Sequence, residues 1–356
     1  MKPPRSVPLR YALWPFSLLY RAATGAHRAA YDLGLLAREH VPVPVVSVGN
    51  LTVGGTGKTP LVALICTLLE QEGIRTAVVS RGYKRRGAGD VTVVSRGDGE
   101  GPRIDVRAAG DEPYWLARSL PRSAVVVAAR RAQGARLAVT ELGAQAIVTD
   151  DGYQHHRLAR DLDLLVMDAA CPVDSGWVLP AGALREPPRA ASRASALILA
   201  QCDPAGGCGA AEALFRRHNR RAPVFHSRAR PVEWIRPDGG RRSPADLAGQ
   251  SLAAFCGIGR PHRFLEDLRR AGAEVPVFVP FPDHHWYTDQ DLRALSRRAR
   301  AAGATEWITT EKDFVRLSQQ QLQVHSIGRL RIAVEIQEEQ EFRSLLMSAL
   351  QAEVGT

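Results

Sequence analysis

The sequence predicts an α/β fold in which a mostly parallel sheet is flanked by helices and is followed by a second, smaller α/β domain. Short β-branched runs, typical of buried parallel strands, alternate along the chain with segments of helical periodicity. A glycine-rich loop joins the first of these strands to the helix that follows it. Near residue 223 the composition shifts to arginine, proline and glycine, and a second strand-helix series begins after it.

The glycine-rich loop has the sequence of a phosphate-binding loop. Val43–Pro60 reads V-P-V-V-S-V-G-N-L-T-V-G-G-T-G-K-T-P. In such a loop the backbone N–H groups converge on phosphate oxygens, the lysine reaches the β and γ phosphates, and the threonine can hold Mg²⁺. The pattern departs from G-x-x-x-x-G-K-[ST] at its first position, so a glycine turn that happens to precede a lysine is the alternative. We expect a P-loop NTPase-like sheet, with nucleotide bound by Thr52, Gly54, Gly55, Thr56, Gly57, Lys58 and Thr59.

Composition limits the classes of protein to which the chain can belong. Its 356 residues suit about two domains, and 45% apolar with 24% charged residues is typical of a folded, soluble protein. The net charge of +10 indicates an anionic partner: nucleic acid, an anionic membrane surface or a phosphorylated substrate. Five scattered cysteines without C-x-x-C spacing predict neither a disulfide framework nor a zinc site, and Cys202 and Cys208 are expected to be bystanders.

Residues 1–36 are predicted to contain an amphipathic helix. Aromatic and aliphatic residues between Leu9 and Leu36 are interleaved with arginines and interrupted by Pro15, and the apolar run is too short to span a bilayer. A helix lying among lipid headgroups fits this pattern, and so does a helix packed on the protein core through the same face. The sequence of this stretch does not choose between the two.

Residues 37–222 are predicted to form the P-loop core. The strand from Arg75 to Ser80 ends in a basic loop, which places Arg81 at the edge of the sheet where ligands bind. The helix that begins near Asp111 carries acidic residues in its first turn, where carboxylates are as often capping groups as catalytic ones. The strand from Ala146 ends in Asp150 and Asp151, as expected for carboxylates that hold Mg²⁺ near the P-loop threonine; an Asx turn is the alternative.

Residues 223–246 are predicted to be a linker with a hairpin turn at positions 238–240, and residues 247–356 a C-terminal α/β domain. Thr288 is expected to cap a helix, with Asp291 in the glutamate position of a capping box. Asp283, His284 and His285 follow a strand, and such a histidine pair is more often structural than catalytic unless it faces the nucleotide.

The motifs together resemble one family, the tetraacyldisaccharide 4′-kinases, which phosphorylate a lipid A precursor. They are V-G-N-L-T-V-G-G-T-G-K-T-P (48–60), S-R-G-Y (80–83), G-D-E-P (110–113), T-D-D-G-Y-Q-H-H-R-L (149–158), L-P-A-G-A-L-R-E-P (179–187), F-P-D-H-H (281–285) and T-E-K-D (310–313). The resemblance implies transfer of the γ-phosphoryl group of ATP, with Mg²⁺, to the 4′-hydroxyl of a tetraacylated glucosamine disaccharide 1-phosphate. It also implies a peripheral enzyme on the cytoplasmic side of the inner membrane, with no nucleic acid and no obligate protein partner.

The same resemblance implies roles for individual residues. Asp111 is the expected general base, with His284 oriented against it, and Glu186 completes the metal or hydroxyl-positioning shell. Lys58 stabilises the triphosphate, while Thr59 with Asp150 or Asp151 holds the metal. The residues expected at the substrate are Arg81, Gln154, His155 and Arg185.

Two other classes remain as alternatives. A membrane-associated partner-switching P-loop ATPase carries a similar loop, but it typically has lysine just before the glycine pair, where this chain has Val53. A nucleic-acid-binding protein is supported by positive charge alone, because no basic face with regularly placed aromatics is evident.

Overall fold

The computed structural model describes residues 7–83, 85–86, 89–202, 207–304 and 306–351. The strands of these ranges are β1 (Val45–Gly49), β2 (Thr76–Ser80), β3 (Val91–Arg96), β4 (Ala124–Ala128), β5 (Ala146–Asp150), β6 (Leu162–Asp168), β7 (Ala196–Ala200), β8 (Val224–Ile235), β9 (Arg241–Arg242), β10 (Ser251–Cys256), β11 (Glu274–Pro280), β12 (Glu306–Thr310) and β13 (Ile327–Ile336).

The helices of the same ranges lie mostly between these strands. They are α1 (Val7–Asp32), α2 (Lys58–Gln71), α3 (Val106–Ala109), α4 (Asp111–Ser119), α5 (Arg131–Leu142), α6 (Gly209–Arg216), α7 (Pro261–Arg270), α8 (Asp289–Ala301), α9 (Glu311–Phe314), α10 (Gln319–Val324) and α11 (Glu339–Gln351). Two short 3₁₀ turns cover Pro188–Arg193 and Pro244–Leu247. Thr288 caps α8 in a capping box with Asp291, as predicted.

One large sheet organises the molecule, in the order β11-β10-β12-β13-β8-β7-β6-β1-β5-β2-β4-β3, and β9 pairs with β8 beside this path. Most neighbours are parallel, while β3 is antiparallel to β4 and β8 to β13. Strands β1, β2, β4, β5, β6 and β7 are buried along their whole length, which is why they consist of nearly continuous apolar runs. The predicted fold class, a mostly parallel sheet flanked by helices, is confirmed.

Strand β8 joins the two halves of the sheet. Its first residues pair in parallel with β7 and its remainder pairs antiparallel with β13, so the strands before and after it form one continuous sheet. Pro231 lies inside β8, beside a shift of register in β13, and such an irregularity accommodates a residue without an N–H. The predicted hairpin is present, with β8 and β9 on either side of residues 238–240. The division into domains at 36, 222 and 246 stays a prediction.

Helix α1 is exposed along most of its length. Its exposed apolar side chains are Leu9, Tyr11, Trp14, Phe16, Leu18 and Leu19. Ser17 is the exception, because its hydroxyl is buried and bonds to the turn at residues 178–181. In the described part of the chain we find no helix with both the length and the apolarity required to cross a bilayer.

Cys202 and Cys208 form a disulfide, which corrects the expectation that they are bystanders. Their Cα atoms lie 5.5 Å apart, a separation that a disulfide bridges without distortion of the backbone. Cys202 follows β7 and Cys208 immediately precedes α6, so the two elements place the sulfurs together. Neither their spacing nor the odd cysteine count carries this information, which depends on where β7 and α6 lie in the fold.

Candidate functional site

The glycine-rich loop lies between the carboxyl end of β1 and the first turn of α2, as predicted. Gly57 precedes α2 with a φ of 83°, a left-handed conformation that glycine adopts at little cost. A Cβ atom built on Gly54 or Gly57 would meet no heavy atom within 4 Å, so the space beside the loop is open. Loop amides and a helix N-terminus facing open space make a site for an anion.

Lys58 is held over this loop by two oxygen atoms. Its Nζ lies 2.9 Å from Oδ1 of Asn50 and 3.3 Å from Oδ1 of Asp151. Asn50 is fully buried, and its amide also donates to the hydroxyl of Thr56 at 3.0 Å. The ammonium group is therefore fixed next to the loop before any ligand is present.

Thr59 and Asp150 meet at the ends of neighbouring parallel strands. The Thr59 hydroxyl donates to Oδ2 of Asp150 at 3.2 Å, and Asp150 Oδ1 is buried without a hydrogen-bond partner among the described residues. Burial, together with the charges of Glu112 and Asp151, raises the pKa of Asp150. A hydroxyl and an unsatisfied buried carboxylate oxygen fit Mg²⁺, which takes only one or two protein carboxylates beside phosphate oxygens and water.

Asp151 is shared between two cations. Oδ2 accepts from Arg185 at 2.7 Å, while Oδ1 faces Lys58. Burial alone would raise the pKa of Asp151, but the charges of Lys58 and Arg185 and their hydrogen bonds lower it below its ordinary value. Arg185 reaches this position because its segment runs along the P-loop, where Arg185 N–H donates to Leu51 and Val53 N–H donates to Ala183.

Glu186 lies in the same network but is not a free ligand. Its two carboxylate oxygens accept from Arg193 at 2.7 and 2.9 Å, and Oε1 also accepts from the side-chain amide of Gln154 at 3.0 Å. Gln154 donates in addition to the carbonyl of Asn50 at 2.9 Å. These two residues therefore connect Arg193 to the P-loop strand, and both are in positions to orient their neighbours.

The remaining predicted substrate residues lie behind and beside the carboxylates. Nδ1 of His155 is 3.5 Å from Arg131, which also donates to the carbonyl of Asp151. Burial and the nearby charges of Arg131 and Arg160 lower the pKa of His155 to about 3, so its ring is neutral at pH 7. Arg81 is exposed at the end of β2, close enough to Arg131 for its charge to act on it.

Asp111 and His284 form a second polar centre that joins the two halves of the molecule. Nδ1 of His284 lies 2.7 Å from Oδ2 of Asp111, and both side chains are largely buried. Asp111 is the first residue of α4, preceded by Gly110 at a φ of 90°. His284 itself has a φ of 63°, a left-handed conformation that is unfavourable for a residue with a side chain. The local sequence could not show whether Asp111 is a capping residue or a catalytic one. The contact with His284 connects Asp111 to the F-P-D-H-H motif.

Cations surround the carboxylate of Asp111. Burial on its own would raise the pKa of Asp111, but the hydrogen bond from His284 and the charges of Lys312 and Arg316 outweigh it and lower the pKa to about 2. Lys312 pairs with the adjacent Glu112 at 2.6 Å. Asp111 is therefore an ionised, buried carboxylate at neutral pH, and an ionised carboxylate can accept a proton.

Two concave surfaces open beside these centres. A shallow pocket at Asp111 and His284 is bordered by the half-exposed rings of Tyr83 and Trp286, with the guanidinium of Arg107 4.8 Å from the centre of the Trp286 ring. A larger cavity of about 520 Å³ lies beyond the loop that follows β10. A Cβ atom on Gly259 in that loop would be 3.6 Å from the backbone nitrogen of Gly55, so the cavity adjoins the P-loop.

Sequence reasoning did not single out three residues that the structure places in the site. Asn50 positions Lys58, Arg131 supports Asp151, and Arg316 faces Asp111. The position of Asn50 in the sequence could have indicated its role, because a polar residue at the buried end of β1, next to the loop, is seldom needed for packing. No sequence pattern distinguishes Arg131 and Arg316 from the other arginines of this basic chain, and only the folded structure shows that they belong to the site.

The fold and this site define a class: a P-loop nucleotide-binding protein in which a threonine and an aspartate meet at adjacent strand ends. The Asp111–His284 pair beside that site adds a candidate base, which is a feature of a phosphotransferase rather than of a simple binding protein. The family model of the tetraacyldisaccharide-1-P 4′-kinases, LpxK, matches residues 9–351. The chain belongs to this family.

Individual relatives agree with the family match. The chain is 46% identical over 315 residues to a tetraacyldisaccharide 4′-kinase of Anaeromyxobacter dehalogenans (strain 2CP-C), covering 87% of this chain and 81% of that protein. It is 36% identical over 355 residues to a tetraacyldisaccharide 4′-kinase of Syntrophus aciditrophicus (strain SB), and the match covers 96% of this chain and 94% of that protein. The crystal structure of the "apo" form of LpxK from Aquifex aeolicus in complex with ATP matches with a TM-score of 0.76 at 30% identity, covering 96% and 99%.

These findings confirm the family predicted from the motifs. The chain is a kinase of the lipid A pathway, and a partner-switching ATPase is not favoured.

Proposed function

We propose that this chain transfers the γ-phosphoryl group of ATP to the 4′-hydroxyl of a tetraacylated glucosamine disaccharide 1-phosphate, with Asp111 as the general base. The hydroxyl oxygen attacks the γ-phosphorus, the bond from that phosphorus to the β-phosphate oxygen breaks, and ADP leaves. The hydroxyl proton passes to Asp111. The observation that carries this proposal is the 2.7 Å contact between His284 and Asp111, whose carboxylate is ionised at neutral pH.

His284 steadies the base. With Nδ1–H donated to Asp111, the imidazole fixes one carboxylate oxygen and leaves the other able to face the hydroxyl group. The pocket bordered by Tyr83, Arg107 and Trp286 lies at this carboxylate, so we assign the acceptor sugar to it. Aromatic faces pack against the apolar faces of sugar rings, and the guanidinium suits an anionic substrate.

The P-loop supplies charge neutralisation. Phosphoryl transfer depends mainly on positioning and on stabilising the charge of the transferring group. Lys58 and Arg185 both face Asp151, which holds them beside the loop amides, so the two cations are oriented before the triphosphate binds. Glu186 and Gln154 fix the segment that carries Arg185. We assign Arg81, which is exposed at the end of β2, to the substrate, and His155, which lies beside Arg131, to orienting the carboxylates.

Thr59 and Asp150 are the residues that would hold Mg²⁺, with Asp151 next to them. When bound, the metal would neutralise charge on the β and γ phosphates. The unsatisfied Oδ1 of Asp150 supports this assignment, because a buried carboxylate oxygen without a partner costs free energy unless a ligand occupies it. Helix α1, with its exposed aromatic and aliphatic residues, is the part of the chain that we assign to the cytoplasmic surface of the inner membrane.

The test is transfer of labelled γ-phosphate from ATP to tetraacyl disaccharide 1-phosphate in detergent. We expect labelled lipid from the native chain, and from Asp111→Asn a rate lower by about 10²–10⁴-fold, the usual contribution of a general base. Asp105→Asn is the matched control, since Asp105 caps the neighbouring α3 and is not at the pocket. ATP hydrolysis by the native chain without labelled lipid would refute the acceptor, and near-native transfer by Asp111→Asn would refute the base.

A further inference from the structure

We propose that Arg316 is a positioning residue for the Asp111–His284 pair. It holds the backbone of the loop that carries His284, and its guanidinium lies close to the carboxylate of Asp111. This inference rests on the proposed function of that pair. Arg316 follows α9, and its side chain has no exposed surface. No motif in the sequence indicates it, and no step of the transfer reaction described above uses it.

The first observation is how Arg316 holds the backbone around His284. Its Nη1 donates to the carbonyl of His285 at 3.1 Å, and its Nη2 donates to the carbonyl of Gly257 at 3.1 Å. That same Gly257 carbonyl accepts the N–H of His284 at 3.1 Å. Arg316 therefore fixes one carbonyl bonded to His284 and the carbonyl of the residue after it.

The second observation explains why such a clamp is needed. His284 has a φ of 63°, a left-handed conformation that is unfavourable for a residue with a Cβ and persists only where the surroundings enforce it. In this conformation Nδ1 reaches Asp111. Without the clamp the loop would be free to relax to an ordinary conformation, and the imidazole would lose its direction toward the carboxylate.

The third observation is that the guanidinium is itself fixed. Nη2 donates to Oδ1 of Asp313 at 2.7 Å, and Asp313 is fully buried, accepting also from the hydroxyl of Tyr287 and from the N–H of Gly257. The Nε donates to the carbonyl of Lys312. Every polar group of this cluster therefore has a partner, which is the condition under which a buried ion pair fixes geometry.

The fourth observation connects the cluster to the other half of the molecule. Nε of Arg316 lies 3.7 Å from Oδ2 of Asp111, the oxygen that also contacts His284. Lys312 and Arg316 are thus the cations whose charges act on Asp111, which also contacts the His284 ring. Glu112 is the adjacent anion, and Arg107 and Tyr83 lie across the pocket. Arg316 is placed to act on both members of the pair at once.

A double-mutant cycle tests this role. Arg316→Lys keeps the charge but loses the paired bonds to the two carbonyls, so we expect kcat for lipid phosphorylation to fall by about 10-fold or more while the Kd for MgATP changes by less than about 2-fold. In an Asp111→Asn background the same substitution should lower the residual kcat by less than about 2-fold, because groups that act as a unit are not additive. Arg329→Lys is the matched control, since Arg329 pairs with Glu311 in the same half and does not contact Asp111.

Two outcomes would overturn the inference: equal fractional losses in the native and Asp111→Asn backgrounds, or no loss in either. If Asp111→Asn itself transfers phosphate at the native rate, the proposed base fails instead, and the two failures are therefore distinguishable. Should Arg316→Lys not fold, the charge-neutral double substitution Arg316→Gln with Asp313→Asn removes both buried charges and enters the same cycle. This double substitution must also lower kcat strongly in the native background and by less than about 2-fold in the Asp111→Asn background.

Discussion

The two parts of the site that we propose for the nucleotide (Thr59 and Asp150) and for the acceptor (Asp111 and His284), called here the nucleotide end and the acceptor end, are built in different ways. Thr59 and Asp150 are 91 residues apart in sequence, yet Asp150 ends β5 and Thr59 lies in the first turn of α2, just after the loop that follows β1. Strands β1 and β5 are adjacent and parallel, with Val48 opposite Asp150. Their meeting is a direct consequence of strand pairing. Asp111 and His284 are 173 residues apart and belong to elements at opposite edges of the sheet.

The sheet order shows how much the acceptor end depends on the whole fold. Asp111 begins α4, which packs on β4, while His284 lies just after β11. Between β4 and β11 the sheet order has ten steps, which at about 4.8 Å each would separate them by roughly 50 Å in a flat sheet. The 2.7 Å contact therefore comes not from strand pairing but from the packing of helices and loops over the sheet, where α4 contacts α9, the helix that follows β12. The nucleotide end is local, and the acceptor end is a product of tertiary structure.

Apart from the effect of Asp111→Asn, the largest expected effect tests the nucleotide end alone. Asp150→Asn removes a buried carboxylate that would hold Mg²⁺, and we expect kcat to fall by about 10²–10³-fold with a higher Mg²⁺ requirement. A magnesium titration of lipid phosphorylation measures both. Asp98→Asn, which removes a surface carboxylate paired with Arg103, serves as the control. An unchanged Mg²⁺ dependence would contradict the assignment of Asp150.

The next effect tests the acceptor end. His284→Asn removes the imidazole that contacts Asp111, and we expect kcat to fall by about 10²-fold while the Kd for MgATP stays unchanged. The adjacent His285 offers a matched control, because its ring pairs with Asp291 and not with Asp111. If His284→Asn weakens nucleotide binding as much as it slows transfer, the two ends are not separate and the comparison fails.

The difference between the two ends also sets what the sequence could predict. The P-loop, the strand ending in Asp150 and Asp151, and the capping box at Thr288 each depend on residues close in sequence or on adjacent strands. Local pattern is sufficient there, because the physical cause is local as well. The residues of the Asp111–His284 pair were identified by resemblance to a family, since their own neighbourhoods suggest a helix cap and a structural histidine.

What the sequence could not show has long-range causes. Strand β8 carries Pro231 and several arginines, a composition that predicts a linker, but its place between β7 and β13 makes it a strand. Partners across the sheet overrode its local preference. The role of Arg316 could not be predicted for the same reason, because its partners lie on segments that are distant in sequence and meet only after folding.

A pH titration of stability measures whether the acceptor pair holds the two halves together. The pKa of Asp111 is lowered to about 2, so its ionised form stabilises the folded chain above the ordinary carboxylate pKa, and that stability is lost as pH falls toward 2. We expect the native chain to lose about 2 kcal/mol more free energy of unfolding than Asp111→Asn between pH 5 and pH 2. Denaturant unfolding at each pH provides the measurement, and parallel curves would show that Asp111 contributes nothing across the halves.

The smallest expected effect tests whether the nucleotide end is as local as its strands suggest. Ser17 of α1 donates to the carbonyl of Val178 at 3.0 Å and accepts the N–H of Ala181 at 3.0 Å, in the segment that continues to Arg185 and Glu186. Ser17→Ala leaves both backbone groups without this partner, so we expect a loss of about 1 kcal/mol in stability and a fall of a few-fold in kcat. Thr24→Ala is the matched control, since that hydroxyl bonds only to carbonyls of its own helix among the described residues. If Ser17→Ala lowers kcat and the control does not, helix α1 helps to position Arg185, and the nucleotide end also depends on an element outside the sheet.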